Sequence, residues 1–306
     1  MRRGRMVYGC CGLMAALAMQ TTAGPPATQP APIAYGKAER IATLASPQIT
    51  ESSGLACSRL TDGVFWTHND SGDRAMLYAF NERGEHLAAC EVRGASARDW
   101  EDLCSFKLGR RSVLLIADVG DNSRRRNDCA LYAVYEPALR PGRTDARIAT
   151  TVAATIRFRY AEGPQNCEAV AFDPVSRTLC LVTKTALGPC RAYLFDWPKR
   201  PSDTPVVLKT AAVLGLPTVV AMDIAPDGRR AVLLSYGPAY EYTRGPDETW
   251  TQAFARTPRT LPLPTRGQGE SICYGPDGRA LYFGSEGRGS PLWRLAPAGA
   301  ASRPAP

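Results

Sequence analysis

Residues 268–288 read QGESICYGPDGRALYFGSEGR, and their reading decides the fold. Two short apolar runs flank a Pro-Asp-Gly turn, the pattern of a tight β-hairpin. One acid, Glu270, opens the first run, and another, Glu286, closes the second. The two ends of a hairpin lie side by side, so both carboxylates face one edge. What that edge is depends on whether the pattern recurs.

It recurs. Related segments are SGLACSRLTDGVFWTHND from Ser53, EDLCSFKLGRRSVLLIAD from Glu101, EAVAFDPVSRTLCLVTK from Glu168 and VAMDIAPDGRRAVLLSY from Val220. Third strands are expected at 77–81, 130–136, 191–197, 240–244 and 292–295. Fourth strands are expected at 86–92, 151–160, 208–214 and, as WTQAFAR, at 250–256. The repeats start 48, 67, 52 and 50 residues apart. A four-stranded unit returning at roughly 40–50 residues is the signature of a β-propeller. The fifth unit has no room for a fourth strand, and ERIATLASPQI at 39–49 has no other home. The expected fold is therefore all-β, a five-bladed β-propeller whose last blade is completed by the N-terminal strand. Six blades remain open if the long second repeat conceals further strands.

The flanks set the compartment. A basic start (Arg2, Arg3, Arg5) and an apolar stretch from Met6 to Met19 read as a signal peptide over 1–23. The apolar run is too short to span a bilayer. A lipobox ending at Cys10 is the lesser alternative, a lipid anchor. A Pro-rich, flexible linker over 24–37 precedes a single domain at 38–297, and 298–306 forms a tail. The expected location is secreted or periplasmic. Loss of three arginines and no acids takes the net charge from +8 to +5. The remaining basic residues are scattered, which argues against nucleic acid. No transmembrane segment is expected, and the chain reads as a monomer.

Of ten cysteines, eight remain after cleavage, an even number that suggests disulfides in an oxidising compartment. Their spacing has no zinc pattern. Small buried thiols are the alternative.

In a propeller, the start of each first strand and the end of each second strand share one mouth of the central channel. The starts are Ser53, Glu101, Glu168, Val220 and Glu270; the returns are Asn69, Asp118, Lys184, Tyr236 and Glu286. Three converging glutamates repel unless protonated or held by a cation. Oxygen ligands without His or Cys favour Ca²⁺. Glu101, Glu168 and Glu270 through their side chains, with carbonyls at Ser53 and Val220, are the candidate shell. The alternative is that each glutamate accepts hydrogen bonds from a neighbouring blade's free N–H groups.

The adjoining loops HNDSGDR (68–74) and DVGDNSRRRND (118–128) are polar. Asp70, Asp121 and Asn122, with Asn69, Tyr236 and Glu286, are candidate ligand contacts, and Arg124 and Arg125 suit an anionic group such as phosphate. Asx-type turns are the other reading of these short side chains. Trp100 reads as a wedge between blades. His68, Asp118 and Lys184 are the candidates for proton transfer and charge stabilisation. No GxSxG elbow, Cys/His nucleophile or P-loop occurs.

Together ESSGL, WTHNDSGD, DWEDL, DVGDN and EAVAFD resemble a group of secreted bacterial propellers, over about residues 49–290. More distantly, the ring resembles the calcium-activated nucleotidases (apyrases), whose blade starts run Ser, Glu, Glu, Ser, Glu around a central calcium. That resemblance implies Ser53, Glu101, Glu168 and Glu270 as ligands, with Val220 departing from the pattern. Three functions follow: a calcium-dependent hydrolase of phosphoanhydrides or phosphoesters, a non-enzymatic glycan- or protein-binding module, or a glycosidase using paired carboxylates. In each, a small anionic or sugar-containing ligand is expected at the upper mouth.

Overall fold

The computed structural model describes residues 1, 29–70, 72–140, 142, 144, 146–200 and 202–299. The signal peptide, Cys10, the start of the linker and residues 300–306 of the tail lie outside the described residues.

After β1 (Glu39–Thr43), the first repeat forms β2 (Ser52–Cys57), β3 (Val64–Asn69), β4 (Met76–Asn81) and β5 (His86–Arg93). The second forms β6 (Trp100–Leu108), β7 (Arg111–Asp118), β8 (Cys129–Tyr135) and the long β9 (Ala146–Tyr160). The third has β10 (Cys167–Asp173), β11 (Thr178–Thr183), β12 (Cys190–Asp196), the short β13 (Val206–Leu208) and β14 (Thr210–Leu214). The fourth has β15 (Val219–Ile224), β16 (Arg230–Ser235), β17 (Ala239–Thr243), helix α1 (Trp250–Phe254) and β18 (Arg259–Leu261). The fifth has β19 (Ser271–Tyr274), β20 (Leu281–Gly284) and β21 (Pro291–Leu295).

Each repeat is an antiparallel meander, and β1 adds to β21 as the outer strand of the fifth. The inner strands β2, β6, β10, β15 and β19 touch in that cyclic order, and β19 returns to β2. The architecture is an all-β propeller around a channel. Inner strands are buried on both faces, which is why they read as continuous apolar runs. Outer β9 alternates between half-buried and exposed positions over most of its length.

Two features depart from the expected strand pattern. The long second repeat is accounted for by β9, whose first part pairs in parallel with β5 and whose remainder pairs with β8. WTQAFAR is not a strand but α1, and β18 supplies the outer strand instead. Thr249 and Gln252 form a capping box, and Trp250, Ala253 and Phe254 bury one helical face.

An inner strand presents one edge to the channel, where unpaired N–H groups would be costly. Buried Asp102 accepts from the N–H of Val170 (2.9 Å) and of Met222 (3.1 Å). Asp223 accepts from the N–H of Tyr274 at 2.8 Å. The hydroxyls of Ser53 and Ser105 donate to the carbonyls of Glu101 (2.6 Å) and Cys57 (2.5 Å). The expected stitching of repeats through acids thus falls to Asp102 and Asp223, not to the glutamates at the strand starts. Burial pushes both carboxyls up, Asp223 to about 6.

All eight cysteines of the described residues are buried and free, so the expected disulfides are not formed in the structure. They pack like small apolar side chains. The Cys57 and Cys273 sulfurs lie 3.6 Å apart where the first and fifth repeats meet. The last residues of the stretch read as linker are held against the ring. Ile33 is buried, and the Tyr35 hydroxyl donates to Glu241 at 2.8 Å. Among the described residues no helix is long and apolar enough to cross a membrane.

Candidate functional site

The site begins with a bulge. Register shifts between Trp100 and Asp102, between Cys167 and Ala169, and between Val219 and Ala221. Glu101, Glu168 and Val220 therefore occupy the same irregular position at the top of three inner strands, where a bulge re-aims a side chain. Glu270 immediately precedes β19. Their neighbours decide what each can do.

Glu168 is engaged by protein. Its carboxylate pairs with the Lys184 ammonium at 2.6 Å and accepts from the Asn166 amide at 2.9 Å. Glu270 accepts from the Gln268 amide at 3.0 Å. Glu101 differs. It is 5% exposed, and no described hydrogen bond or ion pair reaches its carboxylate. Asp99 takes the place of the amide: each glutamate is preceded two residues earlier by a polar side chain, in DWE, NCE and QGE. An amide can donate to a carboxylate, and an aspartate cannot.

Asp99 and Glu101 are pressed together. A Cβ on Gly120 would sit 2.1 Å from Glu101 Oε1 and 2.6 Å from Asp99 Oδ2, so only glycine leaves room there. The Asp99 carbonyl accepts from the N–H groups of Val119 and Gly120, both at 3.1 Å, and its N–H donates to Asp118 at 3.1 Å. Ligand atoms of Asp70, Asp99 and Glu101 lie within 4.8 Å of one another.

Electrostatics follow this geometry. Burial, then the charges of Glu168, Asp70 and Asp99, holds Glu101 well above the usual carboxylate range. Burial raises Glu168, Glu270 and Glu286 each to about 7, with Lys184 pulling the other way in all three. Burial and Asp70 also raise Asp99. The lysine sits over the Tyr236 ring, 5.0 Å from its centroid.

Of the five ring residues, Glu101 falls in the acidic cluster with Asp70 and Asp99, and Glu168 acts electrostatically on Glu101 as Glu270 does on Glu168. Ser53 spends its hydroxyl on Glu101's carbonyl, and Val220 packs in an apolar cluster with Ile272 and Phe283. His68 is fully buried against Trp100 and faces Gly54, with Nε2 unpartnered, and burial lowers its pKa. Its Nδ1 faces the Asn69 carbonyl at 2.9 Å. Asp118 pairs with Arg126 at 2.8 Å and accepts from the backbone N–H of Asp99 at 3.1 Å.

The loop residues divide in the same way. Asn69 is saturated: it accepts from the N–H groups of Thr50 and Glu51 and donates to Gln48 and Asp73. Asp121 accepts from the N–H groups of Arg125 (2.9 Å) and Arg126 (2.7 Å), the Asx-type turn. Asn122 accepts from the Asn166 amide. Arg124 and Arg125 are exposed, and Arg125 lines a cleft of about 290 Å³ with Arg98, Asp99 and Asp121. Lys184, Tyr236, Asp70 and Glu286 remain at the mouth. Trp100 is buried between repeats as expected, its indole N–H donating to Ser96.

Sequence reasoning missed Asp99, Gly120, Asn166 and Gln268. The polar residue two before each glutamate was the available signal for three of them. For Gly120 no sequence signal distinguishes a close approach from an ordinary turn.

No protein-family model matches the chain, and a search of curated proteins gave no match. Among solved structures the chain is similar to a gluconolactonase from Xanthomonas campestris, at 15% identity and a TM-score of 0.48. That likeness covers 90% of this chain and 99% of the other. It is also similar to the WD40 repeats of RRP9, at 9% identity and a TM-score of 0.46, over 86% and 98% of the two chains. Neither likeness bears on function.

Proposed function

We propose that the chain is an exported, calcium-binding, five-bladed propeller that hydrolyses a phosphoanhydride or phosphoester at its upper mouth. One observation carries the reading. Glu101 is a largely buried residue whose carboxylate has no hydrogen-bond or ion-pair partner among the described residues, pressed against Asp99 at the position where the third and fifth repeats supply an amide. A cation is the partner that arrangement lacks, and an all-oxygen donor set suits calcium.

Asp70, Asp99 and Glu101 would hold the ion. When bound, it would polarise a phosphoryl oxygen and offset charge developing there. Lys184 and the exposed Arg98 and Arg125 would orient the anionic substrate through charge-assisted hydrogen bonds. Glu286, half-buried and raised to about 7, has the proton affinity a general base needs near neutral pH. A second reading is a sugar-binding module with no chemistry. It is favoured by Tyr236, 39% exposed above Lys184, a flat face on which a sugar ring can stack.

A panel of nucleoside di- and triphosphates and aryl phosphates, assayed with calcium and with chelator, separates the two. Calcium-dependent turnover should fall by roughly 10²-fold or more in Glu286→Gln, the scale of a lost general base. Absence of turnover on every member, with retained binding of a neutral sugar, would move the assignment to the binding module.

A further inference from the structure

The opposite end of the channel carries a site of different chemistry. A cavity of about 390 Å³ opens there, and all five repeats contribute to it through the lower ends of their inner strands and the turns that follow. Phe106, Phe172 and Ile224 line it with Pro174, Pro226 and Pro276. An apolar cavity of roughly 150 Å³ accepts benzene, so this one has room for a two-ring body. Pockets of this size that are mostly apolar, with a few polar groups, are where small molecules bind.

One guanidinium points the chemistry. Arg59 spends Nε on the Ser105 carbonyl at 3.2 Å. No described carboxylate lies within ion-pairing distance of it, and its terminal nitrogens have no described partner. Its charge reaches upward toward buried Asp223, whose carboxyl it pulls down against the larger effect of burial. Lys107 and Asp62 stand on the rim, both exposed, and cancel each other in formal charge. The net of the three is a single positive charge facing an apolar chamber.

We propose that this lower mouth binds a small organic monocarboxylate with a flat apolar body. The carboxylate would lie against the terminal N–H groups of Arg59, the planar fork that matches it, and the rings would occupy the proline- and phenylalanine-lined space. A dianion would leave charge uncompensated beside Asp62, which selects against a phosphate ester.

The test is calorimetry with 1-naphthoate and its neutral amide on the whole chain, with Arg59→Gln and, as a fold control, Lys107→Gln. Naphthoate should bind in the sub-millimolar range, and the amide roughly tenfold or more weaker, the scale of a charge-assisted hydrogen bond. Arg59→Gln should bring the acid down to the affinity of the amide, whereas Lys107→Gln should keep the preference. Equal affinity for acid and amide on the unsubstituted chain would overturn the proposal whether or not Arg59→Gln folds. So would absence of naphthoate binding, or binding unchanged in a folded Arg59→Gln protein.

Discussion

Without a divalent cation, the protein will lose stability as pH rises from 4.5 to about 7, and calcium will reverse the loss. Glu168, Glu270 and Glu286 keep their protons to about 7 in the folded chain, against an ordinary value of 4.5. Between those values the folded state binds more protons than the unfolded state, so unfolding free energy falls as pH rises. Glu101 and Asp99 are shifted in the same direction. His68 works the other way: burial lowers its pKa, so its contribution grows as pH rises toward 6.5 and is complete above it. Exposed Glu85 and Glu162 and partly exposed Glu248, lowered by their partners, act with the imidazole, but buried Asp102 and Asp223 join the five raised carboxyls of the mouth, and these seven decide the slope. Calcium bound as proposed would stabilise the ionised forms instead. At a thousandfold excess over its Kd it would add about 4 kcal/mol, on the order of 10 °C in Tm for a domain of this size. Thermal melts from pH 4 to 8, with chelator and with calcium, read both effects. A flat chelator profile that calcium leaves in place would contradict the account of the mouth.

Asp173→Ala will destabilise the fold by about 3–5 kcal/mol, the cost of stranding one member of a buried ion pair. Asp173 is fully buried and holds the third repeat against the fourth. It accepts from Arg244 at 2.8 Å, from the Trp250 indole at 2.9 Å and from the N–H of Val175 at 2.8 Å. Arg244 is itself almost buried and stacks over Trp250, so the substitution leaves its charge with no counter-ion in an apolar setting. Replacing Arg244 by Met in the same chain should recover part of the loss, because removing both charges is cheaper than removing one. Urea unfolding measures the difference. A change below about 1 kcal/mol would place Asp173 among ordinary surface pairs.

The repeat was legible because an inner strand must be apolar on both faces and must turn tightly. That combination leaves a period in the sequence, so the hairpins of 53–70 and 270–286 identify each other. The shared mouth followed from strand direction alone. Residues 250–256 misled because Trp250 and Phe254 suit a strand as well as a helix, and the Thr249–Gln252 cap was the discriminating signal. The site was half legible. Strand-start glutamates announce themselves by position, but their partners depend on side chains that meet only in three dimensions. Nothing in WTHND says that His68 turns inward to Gly54. Nothing in DVGDN says that Asp118 clamps Asp99 while Gly120 makes room for two acids. The difference between DWE and the amide-bearing NCE and QGE was written in the sequence, and it acquires meaning once the buried carboxylate of Glu101 is seen without a donor.

The measurement that tests the central claim most directly is calorimetric titration of the chelator-treated protein with calcium, beside Glu101→Gln, Gly120→Ala and Glu270→Gln. The account predicts one calcium per chain, bound tightly in the unsubstituted protein and in Glu270→Gln, where the replaced carboxylate already had a protein donor. Binding should be abolished in Glu101→Gln and severely weakened in Gly120→Ala, whose new methyl group would displace both acids. Calcium binding that survives Glu101→Gln, or that is lost to the same extent in Glu270→Gln, would contradict a site built on Asp70, Asp99 and Glu101.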